Sequence, residues 1–183
     1  LLSTSIGEVF SMIGALLFGL PLPVTAIQIL WINIVTDTAM VLPLGLEPEE
    51  EHIMTQPPRR PTTPLLDRIM LQRMVLVAFT MATVTLATVL ILKNRGQSTA
   101  YIQTVAFMSL VAAQWVNAFN ARSERRSSFT RVGTLNHGLN MGFAIGVMLQ
   151  ALVMFGPLKS VFSIADVPVV TLLASSGVAV IAV

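Results

Sequence analysis

The stretch WINIVTDTAM, residues 31–40, places an acidic side chain inside a long apolar run. Apolar residues dominate on both sides of Asp37, from about residue 25 to residue 46. Asn33, Thr36 and Asp37 are spaced i, i+3 and i+4, so in a helix they share one face. The stretch therefore predicts a buried helix with a polar face that needs a partner.

The composition indicates that lipid, and not water, surrounds most of the chain. Of the 183 residues, 54% are hydrophobic and 11% are charged, whereas soluble domains carry about 25% charged residues. The net charge of +2 is too small to indicate a nucleic-acid partner, and none is expected. The sequence contains no cysteine, which excludes a disulfide framework and a thiolate metal site.

Six apolar segments have lengths typical of membrane-spanning helices, although the first and last are marginal. A spanning helix needs about 20 apolar residues, and helices satisfy their own backbone polar groups in lipid. Because no Met or charged leader precedes the first segment, we expect a cut into a longer protein and not a signal peptide. The sequence predicts an all-α membrane protein, a bundle of six transmembrane helices, over residues 1–19, 25–46, 69–92, 101–121, 138–156 and 167–183.

The basic residues predict the orientation of the bundle. Two long loops, residues 47–68 and 121–137, carry most of the Lys and Arg with their flanks, whereas the opposite side carries only Lys93, Arg95 and Lys159. Cytoplasmic loops are enriched in Lys and Arg, so both long loops are expected to be cytoplasmic in a multi-pass integral membrane protein. Trp31 then lies near the outer interface and is interpreted as a residue of the interfacial aromatic belt.

Polar side chains on three separate helices fall at one depth. At a rise of about 1.5 Å per residue, Glu8, Asp37 and Gln114 all lie roughly 15–20 Å from the outer surface. Ser5 stands one turn before Glu8 on the same face. An uncompensated carboxylate at the centre of a membrane helix costs about 3 kcal/mol, so two buried acids need an explanation.

A cation site explains these groups together. They offer only carboxylate, amide and hydroxyl oxygens, which hard cations prefer, and Ca²⁺ takes about six to eight oxygens. A bound cation would offset the cost of the buried charges, and a dehydrated cation within a membrane indicates transport. The candidate metal ligands are Glu8, Asn33, Asp37, Thr36, Ser5 and Gln114.

The same polar residues also fit roles that need no cation. Ser, Thr and Gln side chains in membrane helices frequently hydrogen-bond to a neighbouring helix, which would account for Ser5, Thr36 and Gln114. Glu8 and Asp37 could be protonated members of a proton path, or could be purely structural.

Several blocks of the sequence resemble the C-terminal membrane region of cation-transporting P-type ATPases, most closely the calcium-pump branch. The blocks are LLSTSIGEV (1–9), LPLPVTAIQILWINIVTD (20–37), LGLEPEEEHIMTQPPRRP (44–61) and NAFNARSE (117–124). The resemblance runs from the middle of the family's fifth transmembrane helix through most of its tenth. Residues 1–183 are therefore expected to form one C-terminal membrane domain without the cytoplasmic catalytic domains.

The resemblance implies roles for the same polar residues. In calcium pumps the fifth helix supplies a Glu to the ion site, here Glu8, and an Asn, where this chain has Ser5. The sixth helix supplies an Asn, a Thr and an Asp, here Asn33, Thr36 and Asp37.

Two further positions depart from the family pattern. The eighth helix of calcium pumps supplies a Glu, where this chain has Gln114, and the sixth is locally unwound after its Asp, usually at a Gly, where this chain has Thr38. The loss of one carboxylate and one amide implies that one of the family's two calcium sites is weakened. The expected transported cation is Ca²⁺, with Mn²⁺ or Na⁺ as alternatives.

The resemblance also implies the partners, which are membrane lipid and the N-terminal half of the same pump. That half would contain the phosphorylation, nucleotide-binding and actuator domains and would use ATP and Mg²⁺. This chain has no DKTG-type motif and is not expected to hydrolyse ATP by itself. The loop at residues 47–68 would contact the phosphorylation domain, although a rigid Pro-rich linker explains it equally well.

The expected function is the ion-binding and translocation portion of an ATP-driven cation pump. The alternative is a stand-alone, non-catalytic membrane protein derived from the pump domain, which binds cations or regulates a partner. A passive channel is disfavoured because two fixed acids indicate a tight site.

Overall fold

A computed structural model describes residues 2–45, 68–120 and 137–182, without the side chains of Thr36, Asp37, Leu44 and His137. All regular secondary structure in these ranges is helical, so the all-α fold is confirmed. The elements are α1 (Leu2–Leu17), α2 (Ala26–Trp31), a π-helical segment (Ile32–Thr36), α3 (Asp37–Gly45), α4 (Arg68–Asn94), α5 (Thr99–Asn120), α6 (His137–Phe155) and α7 (Val169–Ala182).

Four helical stretches in the described ranges are long and apolar enough to cross a membrane. They are Ala26–Pro43, Arg68–Asn94, Thr99–Asn120 and Gly138–Phe155. The helices at the two ends, α1 and α7, have 16 and 14 residues and are shorter, as the marginal lengths of their apolar segments predicted.

Helix α1 buries its small and polar residues and exposes its large apolar ones. Val9, Phe10, Ile13, Leu16 and Leu17 are exposed. This arrangement is the reverse of a water-soluble helix, and it is expected where lipid covers the outside and small residues let helices approach closely. The buried face is formed by Thr4, Gly7, Glu8, Ser11, Gly14 and Ala15.

Helix α5 is the central helix of the bundle. Its side chains are buried almost without interruption from Ile102 to Trp115, and Phe107 and Leu110 are among the largest fully buried side chains. It packs against α7 and α4, and also contacts α3 and α1. A polar side chain on its inner face, such as Gln114, is therefore held on all sides by packed helices.

Residues 26–45, here called the interrupted helix, begin at a capping box. The Thr25 hydroxyl accepts the Gln28 N–H at 3.4 Å, and the Gln28 side-chain oxygen accepts the Thr25 N–H at 2.9 Å. These reciprocal bonds satisfy orphan backbone donors and fix where the helix starts.

The π segment, Ile32–Thr36, has a local cause in the sequence. Four of its five residues are β-branched, which weakens α-helix propensity. The Asn33 side chain also donates to the carbonyl of Ile29 at 2.9 Å, and such insertions into the backbone ladder distort a helix. The family pattern is unwound after the Asp that corresponds to Asp37, usually at a Gly where this chain departs with Thr38. Here the irregularity ends at Thr36, and α3 is α-helical from Asp37.

Two short turns close the same end of the bundle. Gly19 and Gly96 have φ of 60° and 71°, and in each turn the next residue donates its N–H to the carbonyl five positions back, at 2.8 and 3.1 Å. This is the Schellman arrangement, which favours glycine. Lys93 Nζ donates to the Gly19 carbonyl at 2.9 Å and links the two turns.

The prediction that loops 47–68 and 121–137 are cytoplasmic falls on residues that are almost entirely outside the described ranges, so it stays a prediction.

Candidate functional site

A buried carboxylate receives hydrogen bonds from two amides on two other helices. Glu8 is only 5% exposed. Gln114 Nε2 on α5 donates to Glu8 Oε1 at 2.5 Å, and Asn33 Nδ2 in the π segment donates to Glu8 Oε2 at 3.1 Å. Three of the six predicted ligands are thus brought together in one layer of the bundle.

The position of Glu8 follows from the residue before it. A Cβ at Gly7 would lie 3.2 Å from Met81 Cβ and 3.3 Å from the Ala78 carbonyl oxygen, so α1 is pressed closely against α4 at this point. The next residue on a helix points about a quarter-turn away. Glu8 is thereby turned from α4 towards the polar side chains of α5 and the π segment.

The three side chains can offer oxygens as well as N–H groups. Gln114 is 3% exposed, and its Oε1 has no hydrogen-bond partner among the described residues. A half-turn of an amide exchanges its nitrogen and oxygen, so Gln114 and Asn33 can each present either a donor or an acceptor to the space beside Glu8. With both amide oxygens turned inward, the three side chains present four oxygens, fewer than the six to eight that Ca²⁺ takes.

The other three predicted ligands are placed less fully. Ser5 is half-buried and lies one turn before Glu8 on α1. The backbones of Thr36 and Asp37 lie at the end of the π segment and the start of α3, and their side chains are outside the described part of the structure. Within the described residues no three His, Cys, Asp or Glu side chains cluster. The role of all six residues as metal ligands stays a prediction.

A second polar contact joins α1 and α5. Asn117 Nδ2 donates to Ser3 Oγ at 3.3 Å; Asn117 lies three residues after Gln114 on α5, and Ser3 lies five residues before Glu8 on α1. The spacing of Gln114 and Asn117 already indicated one polar face on α5.

Trp31, interpreted as a residue of the interfacial aromatic belt, also makes contacts within the bundle, and its place at the interface stays a prediction. Its Nε1 donates to Gln150 Oε1 at 3.0 Å, and its ring packs edge-on against Phe162 with centroids 5.1 Å apart. Gln150 is only 2% exposed, so it provides Trp31 with an acceptor inside the bundle. The signal that could have found this contact is the amide of Gln150 within an otherwise apolar segment.

Comparison with known proteins gives the family. The family described as "Cation transporting ATPase, C-terminus" matches residues 21–183. The chain belongs to this cation-transporting ATPase family. A cation-transporting ATPase C-terminal region with four candidate membrane spans among the described residues is an integral, multi-pass membrane protein.

Individual relatives agree with the family match. A calcium-transporting ATPase of Bacillus subtilis (strain 168) is 34% identical over 169 residues, covering 88% of this chain and 18% of the relative. Calcium-transporting ATPase 1 of Schizosaccharomyces pombe is 34% identical over 162 residues, with the same coverage of 88% and 18%. A probable cation-transporting ATPase F of Mycobacterium tuberculosis (strain H37Rv) is 33% identical over 154 residues, 84% of this chain and 17% of that protein. The chain therefore spans less than a fifth of the length of these relatives.

Proposed function

We propose that this chain is the ion-binding and translocation portion of an ATP-driven P-type cation pump, and that Ca²⁺ is the transported cation. Support comes from the family match and from relatives that are calcium-transporting ATPases. The observation that carries the proposal is the Glu8 carboxylate, which is buried within the bundle and bonded by amides from two other helices.

Amide partners suit a site that must both bind and release a cation. Without a cation, two N–H donors stabilise the buried carboxylate, and hydrogen bonds to charged groups contribute about 1.5–3 kcal/mol each. With a cation, the same amides turn their oxygens inward and become ligands. Glu8 therefore keeps favourable partners in both conditions, and neither one carries the full cost of an unpaired charge in the membrane.

The proposed metal ligands are the six residues with side-chain oxygens at this level. Their carboxylates, amides and hydroxyls are together enough for the six to eight oxygens that Ca²⁺ takes. Because the uncharged Gln114 stands on α5 where the family pattern has a carboxylate, we propose one strong Ca²⁺ site in this region. The ligands are Glu8, Asn33, Asp37, Thr36, Ser5 and Gln114.

The rest of the proposed pump lies outside this chain. We propose that the N-terminal half of the same protein supplies the phosphorylation, nucleotide-binding and actuator domains and uses ATP and Mg²⁺. Asn33 is exposed in this chain although it is bonded to Glu8, so the site is open on one side, where further helices of the pump would complete it. The relatives, all transporting ATPases by name, lend no support to a stand-alone, non-catalytic protein.

The test is a Ca²⁺ titration of phosphoenzyme formation from ATP in the full-length pump. Glu8→Gln removes the charge and should raise the half-maximal Ca²⁺ concentration by at least about tenfold, since tenfold corresponds to about 1.4 kcal/mol. The matched control is Asp166→Asn, an acid-to-amide change at a residue exposed on the loop before α7.

Equal half-maximal concentrations in the two variants would contradict the assignment of Glu8. The same titration with Mn²⁺ and Na⁺ tests the identity of the cation, which is the one needed at the lowest concentration. Phosphorylation that responds to pH and to none of the three ions would replace the cation site with a proton path.

A further inference from the structure

We propose that α6 braces the interrupted helix on both sides of the π segment, and that Gly142 and Gln150 are positioning residues for the ion-binding groups. This inference rests on the proposed function. The brace consists of two contacts between α6 and the interrupted helix, one between Trp31 and Gln150 and one between Ala39 and Gly142. The paired residues are eight positions apart on each of two antiparallel helices.

The first contact fixes the end of the interrupted helix that precedes the π segment. Trp31 donates to Gln150 at 3.0 Å and packs its ring against Phe162. Gln28, which is fully buried, donates from Nε2 to the Phe162 carbonyl at 3.1 Å while its oxygen completes the cap at Thr25. The last two turns of α6 and the loop that follows it therefore hold α2 by three separate contacts.

The second contact fixes the helix beyond the π segment. Pro43 has no N–H, so it cannot donate the usual helical hydrogen bond to the carbonyl of Ala39. A Cβ at Gly142 would collide with that carbonyl oxygen and would lie 3.0 Å from Pro43 Cγ. Only glycine allows α6 to approach α3 this closely.

The segment between the two contacts carries the proposed ligands. Asn33 and Thr36 lie in the π segment, and Asp37 follows it directly. A π turn holds an additional residue within the helix, so its position decides the direction of the side chains on either side. With both ends held by α6, a shift at either contact is taken up within residues 32–36. Gly142 and Gln150 thereby set the geometry of ligands that they do not touch.

The first test compares two glycines of α6 one turn apart in the full-length pump. Gly142→Ala should raise the half-maximal Ca²⁺ concentration for phosphoenzyme formation by about tenfold or more, because the added Cβ must displace the Ala39 carbonyl and the helix that carries it; tenfold corresponds to about 1.4 kcal/mol. Gly146→Ala is the control: its Cβ would lie 3.6 Å from Trp115 Nε1, an ordinary contact. Its half-maximal concentration should stay within about twofold of the original.

The phosphoenzyme level at saturating Ca²⁺ separates positioning from simple destabilisation. A positioning effect changes the half-maximal concentration and leaves the maximal level per folded pump unchanged. A variant that only lowers the amount of folded protein reduces the maximal level per total pump protein, at an unchanged half-maximal concentration. That second result for Gly142→Ala would overturn the role of Gly142.

A double-mutant cycle tests the contact between Trp31 and Gln150, and it tests the brace by itself if Gly142→Ala does not fold. Gln150→Leu and Trp31→Phe each remove one side of the hydrogen bond, and each should raise the half-maximal Ca²⁺ concentration. The double variant should raise the half-maximal Ca²⁺ concentration no further than the more affected single variant does, because the effects of two residues in contact are not additive. Fully additive shifts, or no shift in any of the three, would overturn the brace at this contact.

The proposed function and the brace can fail separately. If the unaltered pump forms phosphoenzyme independently of Ca²⁺, Mn²⁺ and Na⁺, the proposed function is wrong. If ion dependence holds while Gly142→Ala behaves as Gly146→Ala does, only the brace is wrong.

Discussion

Two amides hold the same carboxylate, and the helices that carry them differ. Gln114 lies on α5, a regular helix buried along most of its length, and its bond to Glu8 is 2.5 Å long. Asn33 lies in the π segment, is exposed, and divides its N–H groups between Glu8 at 3.1 Å and the Ile29 carbonyl at 2.9 Å. We infer from this difference that the site has a fixed side on α5 and an adjustable side on the interrupted helix.

Such a difference suits the transport site proposed above. A site that alternately binds and releases a cation needs some ligands that move, while other ligands stay in place. The packed core around α5 resists displacement, whereas a π turn can shift without losing the helix. We therefore expect substitutions on α5 to affect both stability and ion binding, and those in the π segment to affect mainly ion binding.

The largest effect is expected on the adjustable side, at Asp37. Asp37→Asn in the full-length pump removes a charge from the proposed ligand set, and breaking a buried charge pair costs about 3–5 kcal/mol. That corresponds to more than a hundredfold in affinity. Ion-dependent phosphorylation by ATP should disappear at low ion concentration.

Arg125 supplies the control for Asp37. It belongs to the basic loop outside the described residues, and Arg125→Ala should leave the ion affinity nearly unchanged. Undiminished phosphoenzyme formation in Asp37→Asn would remove this residue from the site, and a large loss in Arg125→Ala would mean that the loop does more than orient the protein.

The helices were predictable from the sequence because lipid leaves the backbone few choices. The apolar segments at residues 69–92 and 101–121 correspond to α4 and α5 within about two residues, since a chain in lipid must bond its own backbone. The common depth of Glu8 and Gln114 followed from the constant rise of a helix, and the two side chains are in contact.

The other features of the site depend mostly on which helices are neighbours, and the pattern of residues along one helix does not reveal its neighbours. The π segment is a local feature, but the spacing of apolar residues does not show the bond from Asn33 back to Ile29 that accompanies it. Trp31 finds its acceptor on Gln150, 119 residues further along the chain. Gly142 is one of several small residues in its segment, and only the packing of α3 against it distinguishes it from the others.

Two leucine substitutions, one on α5 and one in the π segment, test the difference between the two sides of the site by their effect on the free energy of unfolding. Gln114→Leu leaves a buried carboxylate without its amide on α5 and should lower the free energy of unfolding by about 1–3 kcal/mol or more. Asn33→Leu should lower it by less than about 1 kcal/mol, because the site is exposed on that side. Thermal unfolding of the full-length pump in detergent, without added Ca²⁺, measures both.

Repeating Gln114→Leu in a Glu8→Gln background distinguishes the loss of the hydrogen bond to Glu8 from a general packing defect. In a Glu8→Gln background the buried charge is absent, so Gln114→Leu should then cost clearly less than it does beside Glu8. An equal cost in both backgrounds, or equal destabilisation by Asn33→Leu and Gln114→Leu, would mean that α5 is not the fixed side.

The smallest effect is expected from changing only the length of each amide. Gln114→Asn shortens a side chain that a rigid helix cannot move closer to Glu8, so the half-maximal Ca²⁺ concentration should rise by about three- to tenfold, the equivalent of one lost neutral hydrogen bond. Asn33→Gln lengthens a side chain on a segment that can shift, and its half-maximal concentration should change by less than about twofold. The two titrations are made on the same full-length pump. If the longer side chain at position 33 is as harmful as the shorter one at 114, the π segment is as rigid as α5, and the brace on α6 would then immobilise the ligands and not merely position them.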